Sequence, residues 1–174
     1  TEAQLSNAMD AYGSTVYRLA LTRMQNIADA EDVYQEVFLR LWKQAAEDWD
    51  GDRAKAWLIR TTLNRCADLH RFRLRRPVLS FAEIPDLAQP EDESRELWEA
   101  VSRLPEKART AVHLYYAEGY SAEEISQLMH IPAATVRTRL HRARKQLKEL
   151  LGGIDDETCV SRSDGTNFGP QRAE

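Results

Sequence analysis

The chain has 174 residues and a formal charge of −4, from 24 Lys plus Arg against 28 Asp plus Glu. Its 43% hydrophobic and 30% charged residues suit a folded soluble protein of one medium or two small domains, not a disordered chain. No apolar run reaches the roughly 18 residues of a membrane span and no basic-then-apolar secretion signal opens the chain. The two cysteines, Cys66 and Cys159, exclude a disulfide framework and fit a reducing cytoplasm.

Helical periodicity runs through the chain and predicts an all-α fold. Residues 5–24 read as a first helix with a bend near Gly13. Residues 27–42 carry Ile27, Ala30, Val33, Tyr34, Val37, Phe38, Leu41 and Trp42, the spacing of a helix with one buried face. Asn26 or Asp29 can cap it, and Asp29, Glu31 and Asp32 suit its positive end. The stretch 49–52 predicts a loop in which Gly51 supplies backbone freedom. A helix over 53–73 follows, closed by Pro77. Residues 79–90, with Pro85 and Pro90, predict a linker. From about 91 a second helical block begins, with Leu97, Trp98, Val101 and Leu104 on one stripe. Pro105 suits the first turn of the next helix, and Gly119 its end. Ser121 with Glu124 is a capping-box pair opening another helix. A break at 130–132 leads into a last helix from about 133 to 151, stopped by Gly152 and Gly153. The domains expected are 1–78 and 96–151, joined by an acidic flexible linker over 79–95, with a flexible tail over 152–174.

Charge is concentrated within this plan. Residues 60–76 hold six basic residues against one acid, and residues 133–148 hold six against none. Between them, residues 83–99 hold seven acids against one base. Each basic stretch alone is as consistent with a solvated helix face; two in different segments point to nucleic acid. The helices over 121–151 form a helix-turn-helix pattern, whose second helix enters the major groove. Val136, Leu140, Ala143 and Leu147 share its inward face and leave Arg137, Thr138, His141, Arg142 and Arg144 elsewhere. Arginine reads guanine bidentately or neutralises phosphate. The helix over 53–73 interleaves Trp57, Arg60, Arg65, Arg71, Phe72 and Arg73, a mixture that suits single-stranded nucleic acid. Trp57 is read first as a core residue. Cys66 and His70 at i, i+4 make half a metal site with no second pair nearby, so Cys66 reads as a small buried residue. There is no phosphate-binding glycine loop, metal-ligand cluster or nucleophile with a positioned base. No enzymatic activity, metal or cofactor is expected.

These segments resemble a known family. DAEDVYQEVFLRLW over 29–42 resembles the polymerase-binding helix of bacterial RNA polymerase sigma factors. AWLIR over 56–60, followed by Asn64, Arg65 and Asp68, resembles their promoter-melting segment. LPE over 104–106, YSAEEISQLM over 120–129 and TVRTRLHRAR over 135–144 resemble their minus-thirty-five-reading domain. The order is that of the small extracytoplasmic-function (ECF) group of the sigma-70 family, which keeps regions 2 and 4.

The resemblance implies a role in transcription initiation with core RNA polymerase and promoter DNA as partners. An anti-sigma factor is a further expected partner, and no membrane insertion is expected. It places Glu31, Asp32, Gln35 and Glu36 against the clamp helices of the largest polymerase subunit. It gives the loop over 49–55, with Trp49, the capture of a flipped non-template base. Asn64 falls where the family reads the minus-ten element, beside Arg60, Arg65 and Asp68. Arg137, Thr138, His141 and Arg142 fall where it approaches the minus-thirty-five element, with Arg144 beside them. The acidic linker would thread the RNA exit channel. His141 stands where relatives often carry an aromatic residue. The alternative is a stand-alone helix-turn-helix regulator, which would need neither the 29–42 helix nor the aromatic-basic segment.

Overall fold

The computed structural model describes residues 2–44, 51–75 and 92–152. Within them every regular element is helical: α1 (Glu2–Met24), α2 (Ile27–Gln44), α3 (Gly51–Arg75), α4 (Asp92–Ser102), α5 (Glu106–Val112), a π-helical turn (His113–Ala117), α6 (Ala122–Met129) and α7 (Ala133–Leu150). Among the described residues no helix is long and apolar enough to cross a membrane. The stretch 79–95 read as linker lies outside the described residues except for 92–95, which begin α4. Of the tail read over 152–174, only Gly152 is described.

Helices α1, α2 and α3 close on a core of Val16, Ala20, Leu21, Met24, Ala30, Val33, Val37, Phe38, Leu58 and Cys66. The side chains recur at helical spacing, so each helix turns one stripe inward. Between α1 and α2, Gln25 adopts a left-handed φ of 50°. Asn26 then caps α2: its Oδ1 accepts from the Asp29 backbone N–H at 3.0 Å. Asp29 is buried and pairs with Arg73 of α3, so it braces two helices as well as opening one. Gly51 is the first residue of α3 rather than a loop residue with unusual backbone freedom. Its carbonyl accepts from the Tyr12 hydroxyl at 2.9 Å, and a Cβ there would sit 3.0 Å from that oxygen. The glycine makes room for a tyrosine. Helix α1 passes through Gly13 unbroken. Cys66 is fully buried, and burial pushes its thiol up to about 12, so it is an inert core group.

Helices α4 to α7 surround Leu104, Ala111, Val112, Leu114, Ala122, Ile125, Leu128, Val136, Leu140 and Ala143. Val101 is also buried, whereas Leu97 and Trp98, on the same expected stripe, are exposed. Pro105 caps α5 from just outside it. The helix after it ends in two stages, first the π turn and then Gly119 at φ +76°, where only glycine is free of strain.

The same core continues into the first unit. Leu19 of α1 and Ile59 and Leu63 of α3 belong to the α4–α7 cluster. Helices α1 and α3 therefore bury two stripes, one against each unit, and the two units pack face to face. Burial of three such side chains is worth about 1.5–3 kcal/mol each.

Polar contacts close the seam. The Arg109 guanidinium, 6% exposed, donates to the carbonyls of Thr22 and Arg23 at the end of α1. It also donates to Ser102 at 3.1 Å and Leu104 at 2.8 Å, at the end of α4. Gln25 Nε2 donates to the Ser102 carbonyl at 2.7 Å, and Arg23 pairs with Glu106. On the other side of the seam, Glu118 meets Lys55 Nζ at 3.3 Å and accepts from Thr15 Oγ1 at 3.2 Å. His113 Nε2 stands 3.7 Å from it.

The Glu118 carboxyl is held down from its ordinary 4.5 to about 2, first by its contact with His113 and then by Lys55, against the opposing effect of burial. A depressed carboxyl stabilises the folded state above its unfolded value and loses that contribution as pH falls through its folded value. Acid titration followed by circular dichroism should therefore show stability falling between pH 4.5 and about 2. Glu118→Gln should flatten that limb. An unchanged acid limb would remove Glu118 from the seam's energetics.

Candidate nucleic-acid interface

The second unit presents its basic helix by a simple device. Ser121 Oγ accepts from the Glu124 backbone N–H at 3.2 Å, and Ser121 N–H donates to Glu124 Oε2 at 2.8 Å, which completes the capping box and starts α6. His130 ends α6 in the left-handed region, φ 52°. Ser126 Oγ then donates to the Ile131 carbonyl at 2.6 Å, and Ile131 N–H to the Ser126 carbonyl at 3.1 Å. This tight turn sets α7 against α6. Val136, Leu140 and Ala143 are buried against Ile125 and Leu128.

With that stripe turned inward, Arg137, Thr138, His141, Arg142 and Arg144 are all exposed. Arg137 pairs with Glu123 of α6, both well exposed. An exposed pair of this kind is worth about 0–1 kcal/mol, so a phosphate or guanine edge can replace the carboxylate at little cost. Thr138 Oγ1 donates to the Ala134 carbonyl at 2.9 Å and retains its acceptor capacity. No acid lies on α7 before Glu149.

On α3, Arg60 and Asn64 are exposed at i, i+4 and so share a face. Asp68 is exposed one turn on and pairs with Arg71 at 3.0 Å. Arg65 is turned roughly 100° from Asn64 and pairs with Glu36 of α2. It struts two helices and does not join the Arg60–Asn64 face. Trp57 is half-buried against the first core, while Phe72 is exposed. Trp49 lies outside the described residues; of the loop read over 49–55, residues 51–55 form the first turn of α3.

Glu31, Asp32 and Gln35 are exposed on α2. Glu36 is on the same side, but its carboxylate already serves Arg40 at 2.6 Å as well as Arg65. Beside this face, Gly13, Ser14 and Tyr17 of α1 and Glu31, Tyr34 and Gln35 of α2 line a cleft of about 430 Å³. Tyr34 is held there by an edge contact with Tyr17 and by Phe38, at ring separations of 6.3 and 4.8 Å. The acid-amide set and the Arg60–Asn64 face thus sit on one rigid three-helix unit, and the basic helix sits on the other.

Sequence reasoning passed over Arg109, Glu118, His113 and Lys55. The available signal was a lone arginine inside the apolar run Ala108, Ala111, Val112, where a solvated side chain would be out of place.

Comparison with known proteins agrees with this layout across both units. The family description "Sigma-70 region 2" matches residues 8–76, and "Sigma-70, region 4" matches residues 94–147. The chain is 34% identical over 161 residues to the ECF RNA polymerase sigma factor SigE of Mycolicibacterium smegmatis, covering 86% of this chain and 62% of that protein. It is 32% identical over 155 residues to the ECF RNA polymerase sigma factor SigM of Bacillus subtilis, covering 84% and 94%. Among solved structures it is similar to the sigma factor RpoE of Bartonella quintana in complex with the anti-sigma factor NepR. That match has a TM-score of 0.69 at 25% identity and covers 87% of this chain and 96% of that one. A stand-alone regulator would account for the second unit alone. With both regions matched in order, the chain belongs to the sigma-70 family and, within it, to the ECF RNA polymerase sigma factors.

Proposed function

We propose that the chain recruits core RNA polymerase to promoters and helps open them. The α2 face of Glu31, Asp32, Gln35 and Glu36 meets the polymerase. The Arg60–Asn64 face of α3 meets the melted downstream element, and α7 reads the upstream duplex. The residues supply binding energy and positioning, with no bond made or broken. Extruding and holding an unpaired base costs a few kcal/mol, which contacts to the exposed strand offset. The site of action is the cytoplasm, where polymerase works. An anti-sigma factor is the natural inhibitory partner, as NepR is found with the RpoE relative.

The observation that carries this reading is the placement of the acid-amide face and the Arg60–Asn64 face on one unit, with the strongly basic α7 on another. A chain at −4 gains little from bulk charge when it approaches DNA. Its two readers gain most when a partner fixes their spacing. Elements centred at minus ten and minus thirty-five are about 25 base pairs apart, or about 85 Å at ~3.4 Å per step. In the packed chain Lys55 lies 5.3 Å from the Tyr120 ring. Asn64 is about 14 Å along α3 from Lys55. Helices α6 and α7 carry Arg142 at most about 40 Å beyond Tyr120. The two readers therefore lie closer together in the packed chain than the centres of the two elements do.

The double reversal Glu31→Lys with Asp32→Lys should weaken binding to core polymerase by at least about tenfold while leaving helix content unchanged. These two positions are chosen over Glu36, whose loss would also release Arg40 and Arg65. Equal affinity of the folded variant and wild type for core polymerase, measured by fluorescence anisotropy, would refute the assignment of this face.

A further inference from the structure

Helix α7 carries a histidine on the face it turns outward. His141 is exposed, and its helical neighbours are Arg137 and Thr138 one turn before it and Arg144 and Lys145 one turn after it, all exposed as well. Three of those four are cations, and the buried stripe of Val136, Leu140 and Ala143 lies on the other side of the helix. Arginine and lysine keep their charge through the neutral range, whereas imidazole gains or loses its charge between about pH 5 and 8.

Carboxylates of the chain do not hold a proton on this ring. On α6, Glu123 is taken by Arg137, and Glu124 is turned back onto Ser121 as the helix cap. Of the other elements packed against α7, α4 carries Glu96 and Glu99, and α5 carries Glu106, which pairs with Arg23. Among the described residues His141 has no hydrogen bond or ion pair with any of them. In the free chain a proton on His141 therefore adds one more cation beside Arg137, Arg144 and Lys145. Beside DNA the same proton meets phosphates and the N7 and O6 acceptors of guanine, and the charged ring donates from both nitrogens. The duplex favours the charged form and the chain does not. That difference is what links protonation to binding.

We propose, resting on the assignment of α7 to the upstream duplex, that His141 binds that duplex as an imidazolium, so that reading of the upstream element takes up one proton from solvent. Lower pH supplies the proton, so upstream affinity rises as pH falls from about 8 to about 6. The arginines of α7 bind alike at both ends of that range, and His141 is the member of the face that responds to pH.

The test uses holoenzyme, the full-length chain with core polymerase, and a duplex promoter fragment held as the closed complex. Wild type and His141→Gln carry the same core polymerase, so the pH dependence of the core cancels in the ratio of their affinities. That ratio should grow at least about threefold in favour of wild type between pH 8 and pH 6. His141→Lys, whose charge is fixed, should vary with pH no more than His141→Gln does. Glu123→Gln should keep the wild-type response, because the partner of the imidazolium is DNA. A ratio of wild type to His141→Gln that stays constant across this range overturns the proposal. So does a wild-type response that survives in His141→Lys or disappears in Glu123→Gln. Circular dichroism checks that each variant is folded. Failure of wild-type holoenzyme to bind the duplex at either pH would instead strike the functional reading, and that control is read separately.

Discussion

Arg109→Ala should lower the stability of the chain by about 3–5 kcal/mol. The guanidinium is buried at the seam and serves four carbonyls, those of Thr22, Arg23, Ser102 and Leu104. These carbonyls lie where α1 and α4 end, and the last turn of a helix leaves its C=O groups without intrahelical partners. They also carry the negative end of each helix dipole. One cation therefore satisfies two helix termini from different units. Burial pulls the Arg109 pKa down, Glu106 opposes that, and Arg23 adds to it; a guanidinium tolerates such a site because it keeps its charge in proteins. Alanine would leave buried acceptors without donors. Lysine would restore only part of the loss, because one ammonium lacks the planar fork that spans both helix ends. Urea denaturation of the three proteins checks this, and an unshifted midpoint for Arg109→Ala would show that the seam contributes nothing to the fold.

Substitutions on the two faces proposed to read DNA should separate closed-complex formation from opening. Arg137→Ala and Arg142→Ala should each cost about 1–3 kcal/mol in upstream binding and relax sequence preference there, if they meet base edges. Both side chains are exposed and α7 is packed through the opposite stripe, so stability should change by less than about 0.5 kcal/mol. The loss of the Arg137–Glu123 pair is no obstacle to this reading, because that pair is itself exposed. Asn64→Ala should form the closed complex normally and open it poorly, since the proposed partner of Asn64 is uncovered only by unpairing. A fork template should therefore rescue Asn64→Ala and fail to rescue Arg137→Ala. Band shifts report the closed complex, and permanganate reactivity of unpaired thymines reports opening. Normal opening by Asn64→Ala, or normal upstream binding by Arg137→Ala, would overturn the corresponding role.

Local chemistry carried most of the fold. The stripe of α2, a cap at Asn26 or Asp29, the Ser121–Glu124 capping box and the glycine at position 119 each follow from a few neighbouring residues; only the fold chooses Asn26 as the cap. The packing of the two units was not legible. Leu19, Ile59 and Leu63 widen apolar faces that α1 and α3 already present, and a wide stripe does not say that it serves two cores. Arg109 and Glu118 meet their partners across 86 and 103 residues of sequence, a separation that no local pattern records. The π turn over His113–Ala117 reads in sequence as a plain continuation of α5. Within the candidate site, the exposure of Arg137, Arg142 and Arg144 followed from the phase of the Val136, Leu140 and Ala143 stripe. The diversion of Arg65 to Glu36 did not, because it depends on where α2 crosses α3.

In the proposed function one chain supplies polymerase binding, upstream reading and downstream opening together. Reconstitution of the full-length protein with core RNA polymerase on fragmented genomic DNA, followed by sequencing of transcript 5′ ends, tests it most directly. The expected result is a discrete set of start sites that core polymerase alone does not use, preceded by a shared pair of sequence elements about 25 base pairs apart centre to centre, the separation named by minus ten and minus thirty-five and equal to about 85 Å of duplex. Those starts should be lost with Glu31→Lys plus Asp32→Lys. Start sites identical to those of core polymerase alone, or a shared upstream element with no downstream partner, would contradict the account.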